Sequence, residues 1–292
     1  MPVHSLSSVP AMNEEEFVAW QTLLEKRTGI YLAPQRLPFL QTHIGMRMLE
    51  SGFNDYQTYY QHVLQGPEGT IEWSLLLDKL TVQETQFFRD QQALDLVSQF
   101  MADKALELPV SEAFEAWSIG CSTGEEVFTL AMLAEHHLSP YAKRYAITGT
   151  DISSQALRKA RQGQYSVRAL ARIPEVLQTT CIDKLADGRH FAIKPRLQKN
   201  TCFTKLNLLK LAQYPLYSQH LIFCQNVLLY FRRWRRNQIL NLLTERLVPG
   251  GLLVIGLGEA NDFEHPELVR IDSHRFSAFK KRGGHNQERV SL

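Results

Sequence analysis

The stretch Trp117–Ala131, "WSIGCSTGEEVFTLA", decides the fold. It opens on the apolar end of a strand, turns through Gly120 and Gly124, and runs on as a helix. That strand–glycine–helix unit is how doubly wound α/β sheets hold nucleotide-type ligands. In most such units a phosphate rests against the free N–H groups and positive dipole of the helix start. Here Glu125 and Glu126 occupy that place, and the glycines lack the G-x-G-x-x-G spacing. Two carboxylates repel a phosphate and suit a cation. An acid in the first turn also steadies its own helix by about 0.3–1 kcal/mol, so helix chemistry alone accounts for either residue taken singly.

Downstream, "YAITGTDIS" ends a second strand at Asp151, the position from which an acid grips ribose hydroxyls. Its structural alternative is an N-cap for the helix "SSQALRKARQG". Taken together and in order, the acidic loop and Asp151 describe a nucleoside with a cationic tail. S-adenosylmethionine has that character, with an ammonium and a sulfonium in its amino-acid half. Further apolar runs, "HLIFCQN" and "GGLLVIGLG", alternate with helical stretches and imply βαβ units in a mostly parallel sheet. Between 180 and 206 the pattern changes to apolar–polar alternation around Asp187-Gly188, a hairpin signal that predicts a small antiparallel β insert.

Upstream, the pattern is helical. Asn13 is an N-cap with Glu16 three residues on, Phe17, Trp20 and Leu24 share a face, and Gly29 is a stop. Helical spacing returns over roughly 34–50, in "DYQTYYQHVLQG" and in "TIEWSLLLDKL". The organisation expected is therefore a disordered stretch over 1–12, an all-helical domain over 13–78, a Rossmann-like α/β domain over 79–280 and a flexible tail over 281–292. With 292 residues, 44% of them hydrophobic, the chain can bury a full core. A net charge of only +2 argues against non-specific nucleic-acid binding. Four scattered cysteines without a C-x-x-C pair speak against a metal site or a disulfide framework and fit a cytoplasmic protein. No run approaches the ~20 apolar residues that span a bilayer.

The chain resembles the chemotaxis protein-glutamate O-methyltransferase (CheR-type) family in "LLEKRTGIYL", "LTVQETQFFRD", "GCSTGEEVFTLA", "TDISSQALRKARQGQY", "FTKLNLL", "LIFCQNVLLYF" and "LVPGGLLVIGLGE". The resemblance implies methyl transfer from S-adenosylmethionine to glutamate side chains on the cytoplasmic helical domain of a membrane chemoreceptor. It implies a monomer that acts without nucleic acid and without membrane insertion. Flagellar and pilus-based motility systems both remain open as its setting. Carried residue by residue, it assigns cofactor contacts to Gln83, Thr85, Arg89, Glu126, Asp151, Asn207, Leu208, Gln225 and Asn226, and places Arg89 and Tyr230 at the reacting end. Positions 83 and 225 depart from the family's usual Asn and Arg. Members that tether to a receptor's C-terminal peptide do so through the β insert, which is slightly shorter here, pointing to tether-independent binding. The helical domain is expected to read the receptor, with Arg36 and Arg47 meeting its acidic methylation region.

The implied chemistry needs no Ser/His/Asp or metal constellation, and the sequence offers none. A glutamate side chain in water titrates at about 4.3 and is already ionised near neutrality, so what it needs is placement. A guanidinium matches carboxylate geometry, which suits Arg89 to orient the substrate. The competing structural reading of "FFRD" is a helix start with two buried phenylalanines. A non-catalytic docking module that keeps the cofactor fold is the alternative function. The run "YFRRWRRNQ" reads as the solvated start of an amphipathic helix, with a nucleic-acid surface as its rival.

Overall fold

The computed structural model describes residues 9–81, 83–215, 218–271 and 275–283. Of the solvated termini expected over 1–12 and 281–292, residues 1–8 and 284–292 lie outside the described residues, and Lys281 ends the last strand. The chain divides into two compact units, one of residues 1–83 with Ser153–Gln155, the other of residues 84–152 and 156–292.

The helical unit contains α1 (Glu14–Thr28), α2 (Leu37–Glu50), α3 (Tyr56–Leu64) and α4 (Gly66–Leu80). Asn13 and Glu16 form the reciprocal capping box, each side chain accepting the other's backbone N–H at 2.9 Å. Gly29 closes α1 in the left-handed region at φ 79°. Phe17, Trp20 and Leu24 are buried, as are Leu40, Ile44, Met48, Tyr59 and Leu76, and the Trp20 ring lies 5.5 Å from that of Tyr59. Two sequence expectations are corrected here. Residues 9–12 are not wholly solvated, because Met12 is buried, its N–H donates to Gln41 Oε1 at 3.0 Å, and Pro10 O accepts from the Tyr56 hydroxyl at 2.9 Å. Arg47, expected to face a partner, is largely taken up within its own unit. Its Nε and Nη2 donate to the Glu72 carboxylate at 2.8 and 2.7 Å, and that carboxylate also accepts from the Tyr59 and Ser51 hydroxyls. Burial alone would raise Glu72, but Arg47, Tyr59 and Ser51 outweigh it and hold the carboxyl below its usual range. Arg36 stays exposed beside Phe39.

The second unit begins with α5 (Gln91–Glu107), capped by Asp90, whose carboxylate accepts from Ala93 N. There follow β1 (Ala113–Ile119), α6 (Glu125–His137), β2 (Arg144–Asp151), α7 (Ser154–Gln162), β3 (Gln164–Ser166), α8 (Glu175–Cys181), β4 (Ile182–Lys184), β5 (His190–Ile193), α9 (Pro195–Gln198), β6 (Thr201–Lys205), β7 (Gln219–Cys224), α10 (Arg233–Glu245), β8 (Leu247–Gly256), β9 (Leu268–Ile271) and β10 (Phe276–Lys281). The seven-stranded sheet has the order β6-β2-β1-β7-β8-β10-β9, parallel except where β10 runs antiparallel to both its neighbours. Period-two alternation covers both faces. On β7, Leu221 and Phe223 enter one core with Phe128 and Leu130 of α6, while Ile222 and Cys224 enter the other with Leu240 and Leu243 of α10. The strand order reverses between β1 and β7, and the carboxyl ends of those strands are where such sheets bind ligands.

The antiparallel insert is present, but its bounds move. It is the three-stranded sheet β3-β5-β4, starting at Gln164, with β4 and β5 flanking the Asp187-Gly188 turn. Residues 201–205 leave it to form β6, the edge strand paired in parallel with β2 from Ile147↔Thr201 to Asp151↔Lys205.

Candidate active site

Three loops at the carboxyl ends of β1, β2 and β7 build the site. Gly120 (φ 73°) and Gly124 (φ 96°) take conformations that disfavour side chains. At Gly120 space also forbids one, since a Cβ would lie 2.3 Å from Val227 Cγ2, so the loop after β1 presses on the loop after β7. Gly124 caps α6, which then opens with Glu125 and Glu126. These two acids part company. Glu125 accepts from the Thr123 hydroxyl at 2.6 Å beside its own helix start. Glu126 turns to the sheet and accepts from Ser118 Oγ at 2.7 Å. Part of the Glu126 residue remains open, but its carboxyl end is enclosed, and burial pushes it up to about 8. The Ser118 hydroxyl and the charge of Arg89 pull it down, and Glu259 adds to the rise.

Asp151 ends β2, and its Oδ2 accepts from Ser122 N at 2.8 Å. That bond ties it to the "STGEE" loop. Ser122 itself has a positive φ of 48°. Asn207 Oδ1 accepts from Leu209 N at 3.0 Å, capping the turn after β6, and Leu208 is buried beside it.

The loop after β7 carries Gln225, Asn226 and Tyr230. Asn226 has φ 59°, and its N–H and that of Leu229 both donate to the Glu259 carboxylate at 2.9 Å. Glu259 is only 4% exposed and burial raises it above its usual range. Gly256 makes room for it, because a Cβ there would lie 2.2 Å from Glu259 Oε2. This acid follows the "GLG" turn after β8 and is not among the site residues expected from sequence. The signal available is a glutamate directly after a strand-ending glycine turn. Gln225 Nε2 donates to Asp90 Oδ2 at 3.0 Å, joining the loop after β7 to the "ETQFFRD" loop. An amide thus stands at the position where the family usually has Arg, and it bonds a carboxylate that also caps a helix.

The "ETQFFRD" loop has the buried phenylalanines and the helix start of its structural reading. Phe87 and Phe88 are buried, and Phe88, at φ 50°, donates its N–H to Thr129 Oγ1 of α6. Asp90 starts α5. Between these anchors Arg89 is exposed, with Nη1 donating to Glu84 O at 3.0 Å and its charge reaching Glu126. Thr85 and Tyr230 are half-buried, Tyr230 closing the turn Leu228–Tyr230 at the edge of the β7–α10 core. Gln83 belongs to the helical unit, where its Nε2 donates to Asp78 O and Ser153 Oγ. Among the described residues no group of three His, Cys, Asp or Glu side chains is arranged to hold a metal ion.

This geometry carries a matching family signature. Residues 83–275 match the CheR methyltransferase SAM-binding domain, and residues 15–81 match the CheR methyltransferase all-alpha domain. The chain belongs to the CheR methyltransferase family. The chemotaxis protein methyltransferase of Borreliella burgdorferi is 30% identical over 79% of this chain and 83% of its own length. Chemotaxis protein methyltransferase 1 of Pseudomonas aeruginosa is 28% identical over 87% of this chain and 94% of its own, and the Escherichia coli protein 29% over 88% and 87%. This CheR-family protein is therefore an S-adenosylmethionine-dependent methyltransferase. The residues present fit that ligand. Glu126 and Glu259 place two acids in an enclosed setting that a cation relieves, and Asp151 ends β2, the strand-end position that suits an acid to ribose hydroxyls in doubly wound sheets. Among the described residues no helix is long and apolar enough to cross a membrane.

Proposed function

We propose that this cytoplasmic, monomeric enzyme methylates glutamate side chains on the helical cytoplasmic domain of a chemoreceptor, forming glutamate methyl esters. The observation that carries the reading is the joining of Arg89, Glu126 and Tyr230 to one set of loops. Asp90–Gln225 links the Arg89 loop to the Tyr230 loop, and Arg89's charge acts on Glu126. When bound, S-adenosylmethionine supplies a methyl group on a positively charged sulfur, which a carboxylate oxygen takes while the thioether departs neutral.

Glu126 meets the ammonium of the donor's amino-acid half, and Asp151 meets its ribose hydroxyls. Thr85, Asn207, Leu208, Gln225 and Asn226 complete the cofactor contacts, and Gln83 is assigned there on family resemblance alone. Arg89 holds one oxygen of the substrate carboxylate and leaves the other free to attack. Too tight a bidentate pair would blunt the nucleophile, so Arg89 orients more than it activates. Tyr230 donates a hydrogen bond to the same carboxylate. No general base is required, because the substrate glutamate is ionised at neutral pH.

The test is a double-variant cycle in single-turnover transfer of labelled methyl to receptor. Tyr230→Phe should lower kcat and kcat/KM together with the fold and cofactor affinity intact, and Arg89→Lys should slow transfer more. Because both groups orient one carboxylate, the double variant should cost less than the sum of the singles. Strictly additive losses would separate the two residues and remove the shared site.

A further inference from the structure

The segment 231–238, "FRRWRRNQ", is not absorbed by the reaction just described. Helix α10 starts with Arg232 as an N-cap that makes no side-chain capping bond, and its first turn has no acidic residue. By contrast α1 and α6 open on Glu14–Glu16 and on Glu125-Glu126. Cations at a helix N-terminus oppose the dipole, so Arg233, Arg235 and Arg236 stand where they weaken their own helix. Three cations on an unfavourable helix start break a local rule, and such breaks gather where a protein meets a partner.

The same place exposes apolar surface. Trp234 is 53% exposed, Leu257 64% and Leu229 43%. Three links hold the segments that carry them side by side. Arg236 donates to Leu229 O, Leu229 N donates to Glu259 two residues after Leu257, and Arg233 pairs with Asp262 at 3.0 Å. Arg235 covers the Trp234 ring at 4.1 Å. The patch adjoins Tyr230, next in sequence to Leu229. Exposed apolar groups rimmed by charge mark docking sites, and Trp and Arg are the residues that most often dominate such contacts.

We propose that the Leu229–Trp234–Leu257 patch docks an acidic amphipathic helix of the protein substrate, its apolar stripe on Trp234 and Leu257 and its carboxylates toward Arg233 and Arg235. The proposal rests on the receptor-methylation reading above. Charge selects the occupant, since a substrate methylated on glutamates presents carboxylates, and on a helix these recur beside an apolar stripe at intervals of three and four residues. Docking one turn of that helix beside Tyr230 would hold a neighbouring glutamate at the reacting end.

The experiment uses the full chain, a chemoreceptor cytoplasmic fragment bearing methyl-accepting glutamates, and S-adenosylhomocysteine binding as the control for an intact cofactor site. Trp234→Ala/Leu257→Ser should raise KM for the fragment by about tenfold, the scale of a truncated interface anchor, with kcat and S-adenosylhomocysteine affinity unchanged. Arg233→Ser/Arg235→Ser should raise KM as well and flatten its dependence on salt. Unchanged KM in both variants, with active wild type, overturns the docking surface and leaves the methylation reading standing. No transfer by the wild type to any receptor fragment overturns that reading and the docking proposal with it. Trp234-dependent binding of a single-stranded DNA oligomer that competes with the fragment would reassign the patch to nucleic acid and overturn the proposal.

Discussion

Replacing Glu126 with Gln tests how a buried acid recognises a cationic ligand. In the free protein burial pushes the Glu126 carboxyl up to about 8, against the pull of Ser118 and Arg89. At pH 7 it is thus about 90% protonated, and at pH 6 about 99%. A ligand ammonium favours the ionised form, so binding at pH 7 should release nearly one proton. The sign follows from the free protein having the higher pKa. Affinity should rise as pH rises toward about 8, by up to tenfold or 1.36 kcal/mol per unit, and level off above. The ligand's own α-amino group titrates near 8 as well, but that contribution is common to wild type and variant and cancels in their ratio. At pH 8 the substitution removes a charge-assisted hydrogen bond and should cost about 1–3 kcal/mol. At pH 6 the wild type must first lose a proton, roughly 2.7 kcal/mol uphill for two units, and the advantage should vanish. Titration calorimetry with S-adenosylhomocysteine in two buffers of different ionisation enthalpy, from pH 6 to 9, measures both quantities. A pH-independent ratio together with no proton release would refute the assignment of Glu126 to the cationic end. The raised carboxyl also predicts a stability signature. The native state holds this proton between about 4.5 and 8, so the free wild type should lose stability relative to Glu126→Gln as pH rises through that window.

Asp151→Ala should weaken adenosine-containing ligands as a class, product included. A loss confined to thermal stability, about 0.5–2 kcal/mol, would instead make Asp151 only a helix cap. Glu259→Gln turns an amide toward the Asn226 and Leu229 N–H groups and should destabilise the fold by about 1–3 kcal/mol in urea titration, with slower methyl transfer as the Tyr230 loop loosens. An unchanged midpoint would show that the loop holds itself. Arg47→Ala leaves Glu72 buried without its cation and should cost about 2–4 kcal/mol of helical-unit stability, discounted for partial exposure of the pair. Arg36→Glu, at an exposed site, should leave stability unchanged and raise KM for receptor, and an unchanged KM would remove Arg36 from the recognition surface.

Much of the architecture is legible locally. The Asn13–Glu16 box, the Gly29 stop and the strand–turn–helix at Trp117–Ala131 depend on residues within a few positions of one another. The apolar positions of α5, namely Ala93, Leu94, Val97, Phe100 and Met101, also repeat at helical spacing, yet the motif "ETQFFRD" reads first as cofactor chemistry and obscures the helix behind it. Strands β9 and β10 carry a weaker local signal, the first being short and half-exposed.

The sequence by itself determined the order of elements, the acidic character of the ligand loop, and the family through motifs carried on contiguous residues. Tertiary structure alone decided how the two neighbouring acids are partnered, because only the helix's orientation on β1 turns Glu125 to Thr123 and Glu126 to Ser118. It decided that residues 201–205 join β2 and not the insert, since an alternating strand reads the same beside either partner. It joined Asn226 to Glu259, Gln225 to Asp90 and Arg47 to Glu72. Each of these is a pairing of groups far apart in the chain. Such a pairing exists only once packing has excluded water and brought the partners within reach, which no local pattern of side chains encodes.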